Sequence, residues 1–546
     1  LRDAYAIGDN QQARDVFVSL CDWFVGVTAG LSNAQIQLML KSEHGGLNEV
    51  FADATEITGD KKYLDLAIRL SHRAILNPLL HDKDSLTGLH ANTQIPKVIG
   101  YKKIADIRKD QAWSDAADFF WKTVVKNRSV SIGGNSVKEH FQPATDFSSM
   151  IESNQGPETC NTYNMLRLTK ALYLSRPEGE YIDYYERATY NHILSSQHPK
   201  HGGFVYFTPM RPRHYRVYSS PQESFWCCVG SGIENHGKYG ELIYAHNDKD
   251  VFVNLFIPSR LTWKEKGITI TQKTDFPGSE FSTLTLDIRK PSSFAIKIRS
   301  AGWVDPGKFR VQVNGKPINV KADASSFVTI ERKWKQGDVI NVEFPMHTVI
   351  EYLPNDSSWG SFIHGPVVLA AAVDTTDLTN IIADGGRMSH VAEGKFLPID
   401  EAPLMVSRNG DFISEFKPVQ GMPLTFTAPY IIYPETYKNV RLVPFSSIHD
   451  ARYMIYWRMA SPEELEGIKT NLRIKEKERL ELEAQTVDQV SLGEQQPEVE
   501  HNFKGDSTVA GSTDGRTWRN SWRWFSYDFQ NHNKEGKIIR LSYAVG

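Results

Sequence analysis

The sequence is poor in cysteine, with four in 546 residues: Cys21, Cys160, Cys227 and Cys228. So few cysteines in so long a chain exclude a disulfide-rich scaffold, and each one is therefore interpreted by itself. Long apolar runs are missing from the sequence as well. The longest is Val367–Val373, far short of the roughly 20 residues that a membrane-spanning helix needs. We therefore predict no membrane span.

The chain also lacks an excess of charge of either sign. Lys and Arg together number 62 and Asp and Glu number 65, which gives a formal net charge of −3. Without a basic field, the composition gives no reason to expect a nucleic-acid partner. The sequence begins at Leu1 without a charged-then-apolar leader. We therefore expect a mature or trimmed chain, and the missing leader leaves its compartment open.

What the chain does contain is a globular mixture of 40% hydrophobic and 23% charged residues. Its length suits about three or four domains of about 150 residues each. Residues 1–245 have the pattern of helices. In Lys61–Leu76 and Thr162–Leu174, apolar side chains recur at the i, i+3 and i+4 spacing of one helix face. About nine or ten such helices, joined by short loops, predict stacked helical hairpins around a shared core.

A different pattern follows the helices. Over residues 246–375, short runs that alternate apolar and polar residues predict a β-sandwich, and Asn314-Gly315 between two runs is a strong hairpin signal. Residues 376–546 predict a second β-rich module with a helix inserted near 461–485. The sequence therefore predicts a multidomain fold of the α plus β class.

Two features of the second module are interpreted as structural. The charged run Lys475–Glu483 is expected to lie on the solvated face of the inserted helix. Three tryptophans in a Gly- and Ser-rich stretch, Trp518, Trp522 and Trp524, are interpreted as packing aromatics. A sugar-binding face made by these rings stays open as the alternative.

Glu158, Cys160 and the pair Cys227-Cys228 are the most informative polar residues. One carboxylate and three thiolates form a plausible tetrahedral ligand set for Zn²⁺. Two other interpretations remain open, namely buried free thiols without a metal and a disulfide between Cys160 and one of the pair. Cys21 stands alone on a predicted helix, and we interpret it as a core residue.

The local context of these residues supports reactive chemistry. Cys160 follows Gly156-Pro157, where a helix begins, and a helix N-terminus lowers the pKa of a thiol. Cys227 and Cys228 precede Gly230-Ser231-Gly232, which we interpret as a tight turn before a helix that starts near residue 233.

A further carboxylate, Glu139, follows Gly133-Gly134. These glycines suggest a turn that brings the backbone close to a ligand, with Glu139 at its end. An ordinary surface glutamate is the alternative interpretation.

Three segments, residues 133–141, 158–172 and 225–241, resemble the bacterial β-L-arabinofuranosidases of glycoside hydrolase families 127 and 146. The motif Cys-Cys-Val-Gly-Ser-Gly-Ile-Glu-Asn-His that starts at Cys227 is closer to family 146. The resemblance covers most of the chain and implies an (α/α)₆ toroid followed by β-sandwich domains. Because such a toroid has twelve helices and we count fewer, we expect part of it to lie upstream of Leu1.

The resemblance also implies a chemistry. It implies a zinc ion held by Glu158, Cys160, Cys227 and Cys228, with Cys227 as the nucleophile and Glu139 as the general acid/base of a retaining mechanism. The implied activity is that of an exo-acting β-L-arabinofuranosidase on plant arabinose-containing glycans. The implied location is extracytoplasmic, in the periplasm or at the surface of a bacterium.

Three further polar residues are implied as contacts to the sugar: His44, Glu49 and His90. Helix capping and satisfied polar groups of the core are the alternative for each. Two other functions are also kept open. One is a glycosidase or polysaccharide lyase that uses carboxylates alone with a structural zinc, and the other is a carbohydrate-binding protein without activity.

Overall fold

The computed structural model describes residues 1–319, 322–386, 388–493, 495–513, 516–531, 536 and 538–541. A helical domain comes first and β-rich domains follow it, which confirms the predicted fold class. No single helix of these residues is long and apolar enough to cross a membrane, although one bent pair of helices near the N-terminus passes on length and composition.

The helical domain occupies the first 237 residues, within a stretch that is described throughout. Its helices are α1 Arg2–Ala6, α2 Gln11–Thr28, α3 Asn33–Met39, α4 Leu47–Thr58, α5 Lys61–Arg69, α6 Arg73–Leu79, α7 Ala91–Arg108, α8 Gln111–Asn127, α9 Ser148–Glu152, α10 Thr159–Ser175, α11 Gly179–Ala188 and α12 Cys227–Gly237. A π-helical turn, Thr189–Ile193, continues α11. The single helix predicted over Lys61–Leu76 is wrong, because the chain breaks between α5 and α6.

Helices α4, α7, α10 and α12 form an inner row, in which each packs against the next. The first three also pack against an outer neighbour, α5, α8 or α11. Cys160 in the first turn of α10 contacts Cys228 in the first turn of α12. Asn92, near the start of α7, accepts a hydrogen bond of 2.9 Å from Asn164 of α10. The N-terminal ends of these inner helices therefore converge at one end of the domain.

The β-rich domains contain the strands β1 Tyr244–His246, β2 Asp250–Val253, β3 Ser259–Trp263, β4 Ile268–Thr274, β5 Phe281–Ile288, β6 Ser292–Ser300, β7 Arg310–Val313, β8 Lys316–Pro317, β9 Ser326–Trp334, β10 Val339–Glu343, β11 Thr348–Leu353, β12 Asp356–His364, β13 Val367–Asp374, β14 Leu404–Val406, β15 Lys417–Pro418, β16 Phe426–Thr427, β17 Ile432–Tyr433, β18 Val443–Pro444, β19 Arg452–Met454, β20 Tyr456–Ala460, β21 Lys504–Thr513 and β22 Arg516–Ser526. Two helices lie among them, α13 Leu465–Gln485 and α14 Gln495–Glu500.

Two sheets form a sandwich after the helices. Their strand orders are β1-β2-β6-β9 and β3-β4-β5-β10-β7-β8, and apolar side chains from both sheets share one core. The predicted hairpin is present, because β7 and β8 pair at Val313 and Lys316. Asn314 and Gly315 both have positive φ angles, 52° and 74°, as a tight hairpin turn requires.

A larger sheet follows, with the order β17-β14-β20-β12-β13-β18. Strand β13 ends at Asp374 and pairs with β19, while β12 pairs with β20. The boundary that we predicted at residue 375 therefore cuts through one sheet and is wrong. Alternating patterns identify strands, but they do not show which strands share a sheet.

A buried ion-pair network joins the sandwich to the helical domain. Arg299 of β6 is fully buried and donates to Asp183 Oδ1 at 2.5 Å and to Glu186, both on α11. Trp303 Nε1 also donates to Glu186 Oε2, at 2.8 Å. Each charge of the network is therefore paired, and the Arg299 and Glu186 side chains are both fully buried.

A second buried pair holds α13. Glu476 is 7% exposed and pairs with Arg211, while its Oε2 atom accepts from the amide of Ile399 at 2.6 Å. The expectation that the whole charged run lies on a solvated face is therefore wrong at Glu476. On β22, Trp522 and Trp524 are 75% and 53% exposed, so the packing interpretation is wrong for these two side chains.

Candidate active site

Four of the residues singled out in the sequence form one cluster where α10 and α12 begin. Glu158 is the N-cap residue of α10, and Cys160 lies in its first turn. Cys227 and Cys228 are the first two residues of α12. One ligand atom from each residue lies within 4.8 Å of all the others. The starts of two inner helices thus bring together groups that are far apart in sequence.

The distances within this cluster suit a tetrahedral metal site. The Sγ atom of Cys228 lies 3.2 Å from that of Cys160 and 4.0 Å from that of Cys227. Glu158 Oε1 lies 3.7 and 3.8 Å from the sulfur atoms of Cys227 and Cys228. A zinc–sulfur bond of about 2.3 Å implies edges of about 3.8 Å in a tetrahedral site. All four cysteines of the chain are free, which argues against the disulfide alternative.

The electrostatics of the cluster favour a cation. Glu158 is completely buried, and its Oε2 atom has no hydrogen-bond partner among the described residues. Burial, followed by the charges of Cys227 and Glu139, raises the pKa of Glu158 well above its ordinary value. Burying acidic metal-ligating groups without a counter-charge costs free energy unless a cation binds among them. The cluster therefore could hold a metal ion.

The three thiols of the cluster are not equivalent. Cys160 and Cys228 are buried, whereas Cys227 is exposed. Hydrogen bonds from Cys160 and then Cys228 lower the pKa of Cys227, and one from Tyr206 adds to the effect. Burial raises the pKa of Cys228. Cys227 is therefore both the exposed cysteine of the cluster and the one whose thiol pKa is lowered.

The interpretation of Gly230-Ser231-Gly232 as a tight turn before a helix that starts near residue 233 is wrong. Helix α12 begins at Cys227 and ends at Gly237, so Gly230 and Gly232 lie inside the helix and not in a tight turn before it. A Cβ atom on Gly232 would lie 2.6 Å from the ring of Phe204. The absence of a side chain at Gly232 thus lets an aromatic ring pack against the helix.

The glycines before Glu139 also pack against protein and not against a ligand. A Cβ atom on Gly133 would lie 2.8 Å from Ala188, and one on Gly134 would lie 2.6 Å from Pro157. This close packing holds the loop that carries Glu139 against α11 and the start of α10.

Glu139 sits in a strained loop. Ser136, Lys138 and Glu139 have φ angles of 78°, 48° and 67°, a region that residues with a side chain rarely adopt. The carbonyl oxygen of Glu139 accepts from the amide of Ala91, the first residue of α7, at 2.8 Å. Its carboxylate accepts from the hydroxyl of Tyr206. These contacts keep the loop in its strained conformation and direct the Glu139 carboxylate toward the N-terminal ends of the inner helices.

Tyr206 links Glu139, the candidate acid/base, to the candidate metal-ligand cluster of Glu158, Cys160, Cys227 and Cys228. Sequence reasoning missed this tyrosine. Its hydroxyl hydrogen-bonds to Glu139, and it also contributes to the lowered pKa of Cys227. Burial raises the pKa of Tyr206 itself, so the phenol stays protonated and acts as a donor. Tyr206 lies on an irregular loop, and no local pattern could have identified it.

His90 lies beside Glu139. It is the N-cap residue of α7, and its Nε2 atom is 3.7 Å from Glu139 Oε2. Burial lowers the pKa of His90, against an opposing effect of Glu139. Its Nδ1 atom is buried and has no hydrogen-bond partner among the described residues. The ring thus keeps a buried polar atom without a partner beside the candidate acid/base.

His44 and Glu49 occupy the mouth of an open groove that Arg2, Pro96 and Arg167 also line. His44 Nδ1 lies 2.9 Å from the carbonyl of Ser42, and its Nε2 atom has no partner among the described residues. His44 thus has a buried polar atom without a partner beside this groove.

The structure places Glu49 in an ion-pair network. Its carboxylate pairs with Arg167 and lies 3.5 Å from both Arg2 and Lys103. Arg167 follows Cys160 by seven residues on α10, which is about 10 Å along a helix axis. These contacts satisfy the Glu49 carboxylate within the protein and hold α4 against α10.

Models of protein families match most of this chain. The model of the glycoside hydrolase family 127 β-L-arabinofuranosidase catalytic domain matches residues 1–241, and that of the family's middle domain matches residues 250–346. Two models of domains of unknown function, DUF4986 and DUF6805, match residues 349–459 and 481–546.

A curated relative is the non-reducing end β-L-arabinofuranosidase of Bifidobacterium longum subsp. longum. It is 24% identical over 314 residues, which are 52% of this chain and 46% of that protein. The chain thus spans about half the length of this relative.

Solved structures share the fold. One glycoside hydrolase has a TM-score of 0.61 at 16% identity and covers 83% of this chain and 80% of its own. A family 127 β-L-arabinofuranosidase from Geobacillus stearothermophilus T6 has a TM-score of 0.61 at 17% identity, with 84% and 78% covered. Since the two family models together span more than half of the sequence, the chain belongs to glycoside hydrolase family 127.

Proposed function

We propose that this chain is a zinc-dependent, retaining glycoside hydrolase that releases β-L-arabinofuranose from the non-reducing end of glycans. The observation that carries the proposal is the exposure of Cys227 in a cluster whose other donors are buried. A purely structural metal site has no need of an exposed ligand, whereas a nucleophile must reach its substrate. The family models and the name of the curated relative support the sugar and the exo mode.

The donor set fits zinc. Glu158, Cys160, Cys227 and Cys228 would hold the ion, because borderline-soft Zn²⁺ accepts both thiolate sulfur and carboxylate oxygen in tetrahedral geometry. When bound, zinc keeps its thiol ligands deprotonated at neutral pH. Cys227 then remains a thiolate while it faces the substrate.

Cys227 and Glu139 perform the two chemical steps. The Sγ atom of Cys227 attacks the anomeric carbon, and the glycosidic C–O bond breaks as Glu139 protonates the leaving oxygen. Glu139 then removes a proton from water, whose oxygen attacks the same carbon and displaces the sulfur as a thiolate. Two inversions retain the configuration at the anomeric carbon. Tyr206 and His90 hold the Glu139 carboxylate beside the departing oxygen.

Glu139→Gln is expected to separate acid catalysis from nucleophilic attack. Because the amide cannot protonate a leaving oxygen, kcat/KM for an alkyl arabinofuranoside should fall by about a hundredfold to ten-thousandfold. A dinitrophenyl arabinofuranoside, whose leaving group needs no proton, should lose far less in its first step. Steady-state and burst kinetics on both substrates measure this difference, with exposed Glu223→Gln as the control. Equal losses on both substrates would contradict the role of Glu139.

Metal analysis tests the ligand set. Mass spectrometry of the purified chain should find one zinc per molecule, and Glu158→Gln and Cys160→Ser should each lose most of it, because typical metal sites need all of their ligands. Cys21→Ser is the matched control, since Cys21 is buried in α2 away from the cluster. Full zinc retention in both ligand variants would exclude this site.

The natural polymer and the compartment belong to the same proposal. We propose plant arabinose-containing glycans as substrates and an extracytoplasmic location, both on the grounds of the family resemblance. A panel of aryl glycosides of several pentoses tests the sugar directly. Hydrolysis of the β-L-arabinofuranoside at least tenfold faster than of the other pentosides is the expected result.

A further inference from the structure

One loop of the β-rich part of the chain reaches the active site. Residues 388–394 lie between β13 and β14, inside the segment that matches a domain of unknown function. Val391 of this loop is buried in one apolar cluster with Cys160, Cys228, Tyr206 and Phe207. A side chain that lies more than 150 residues after α12 thus packs directly on the metal-ligand cluster.

The loop is held firmly in this position. The side-chain amide of Asn154 donates to the carbonyl of Ala392 at 3.0 Å, and the amide of Gly394 donates to the hydroxyl of Tyr215 at 2.7 Å. Ser389 is buried, and its hydroxyl donates to the carbonyl of Gly386 at 2.6 Å and lies 3.0 Å from that of Asp384. These contacts come from both domains, so the loop is a fixed wall of the site.

His390 projects from this wall toward the acid/base. Its ring centroid lies 4.3 Å from that of Tyr206, and 5.5 Å from the rings of both Phe207 and Trp226. Tyr206 in turn hydrogen-bonds to Glu139. His390 is half-buried. Because its ring lies against that of Tyr206, one side chain separates it from the carboxylate that must protonate the leaving oxygen.

Aromatic side chains continue this wall outward. Trp226, which precedes the nucleophile, is half-buried, and Phe225 is 79% exposed. Aromatic faces with a nearby polar ring are the surfaces on which sugar rings stack. Because Glu139 gives its proton to the leaving oxygen, a sugar on this side is the one that is released.

We propose that the loop of residues 388–394 forms the leaving-group side of the substrate pocket and that His390 contacts the sugar that is released. The domain of unknown function then determines which leaving groups the enzyme accepts. This inference rests on the proposed function, since it places the leaving group by the role of Glu139.

The test compares two substrates that share the arabinofuranosyl group. One is methyl β-L-arabinofuranoside, and the other is a β-L-arabinofuranosyl disaccharide. His390→Ala should reduce kcat/KM for the disaccharide through KM, and this loss should exceed that for the methyl glycoside by about tenfold, the effect of one lost polar contact with its stacking. His246→Ala, an exposed histidine of β1, is the matched control. Equal losses on both substrates, or no loss on either, would overturn the inference.

A binding measurement makes the test independent of turnover. In a Cys227→Ser background, calorimetry should show that His390→Ala weakens binding of the disaccharide by about tenfold and binding of methyl arabinofuranoside by much less. Undiminished binding of the disaccharide by the variant that also carries His390→Ala overturns the role of His390. So does the absence of disaccharide binding by Cys227→Ser both with and without His390→Ala. If the parent protein cleaves neither arabinoside but its binding of the disaccharide depends on His390, the proposed function alone is overturned.

Discussion

Cys227→Ser is expected to lower kcat by at least about a thousandfold, as loss of a nucleophile does in other covalent enzymes. The serine hydroxyl stays protonated near neutral pH and has no general base assigned to it, so it attacks an anomeric carbon poorly. In the fraction of the variant that keeps its zinc, substrate affinity should largely remain, because the side chain changes by one atom. The measurements are kcat on an aryl arabinofuranoside and the Kd of the same substrate by calorimetry.

The matched controls separate the loss of the nucleophile from the loss of the metal. Cys21→Ser changes a buried cysteine in α2 and should leave kcat near that of the parent. The zinc content of Cys227→Ser must be measured in the same preparation. A variant that keeps its zinc and turns over within about tenfold of the parent would show that Cys227 is not the nucleophile.

Arg299→Met is expected to lower the free energy of unfolding by about 3–5 kcal/mol, the usual cost of removing one partner from a buried ion pair. The fully buried guanidinium of Arg299 pairs with Asp183 and Glu186 and also donates to the carbonyl of Asn254 at 2.7 Å. Removal leaves Glu186 buried with its charge uncompensated. Urea denaturation followed by circular dichroism measures the change.

Two variants test whether this loss comes from the stranded carboxylate. Arg260→Met removes an exposed arginine of β3 and should change stability little. Adding Glu186→Gln to Arg299→Met removes the unpaired charge and should restore part of the lost stability. If the double variant is no more stable than Arg299→Met alone, or if Arg299→Met unfolds like the parent, the proposed role of the network is wrong.

Much of the fold followed from local sequence patterns. The predicted helices over Lys61–Leu76 and Thr162–Leu174 correspond to α5 with α6 and to α10, and the Asn314-Gly315 turn joins β7 to β8. Period and turn chemistry are set by neighbours in sequence, so they can be recognised without the fold. The break between α5 and α6 shows the limit, because the apolar spacing continues across it.

The metal-ligand cluster was also accessible to sequence reasoning. Glu158 and Cys160 flank the start of a helix, and three thiols with a carboxylate are a recognisable donor set. Convergence of the inner helix ends explains why these residues meet. The start of α12 was misplaced, however, because Gly230 and Gly232 look like a turn until Phe204 is seen packed against the helix.

What the sequence could not show are contacts between distant segments. Glu476 is buried because Arg211 faces it from a loop more than 250 residues earlier, and no local pattern indicates that pairing. Tyr206 and His390 become recognisable only where their loops meet beside Glu139. Glu49 likewise resembles a sugar contact in the sequence, yet its carboxylate is neutralised by Arg167 and Lys103.

The central claim is that a sulfur atom of this chain becomes covalently attached to the sugar. Incubation with an arabinofuranose-configured epoxide, followed by peptide mass spectrometry, locates the attachment. We expect a single adduct on Sγ of Cys227. The fraction of activity that is lost should equal the fraction of protein that carries this adduct. An ester on Glu139 or Glu158, or continued hydrolysis by a protein that carries the adduct, would contradict the account.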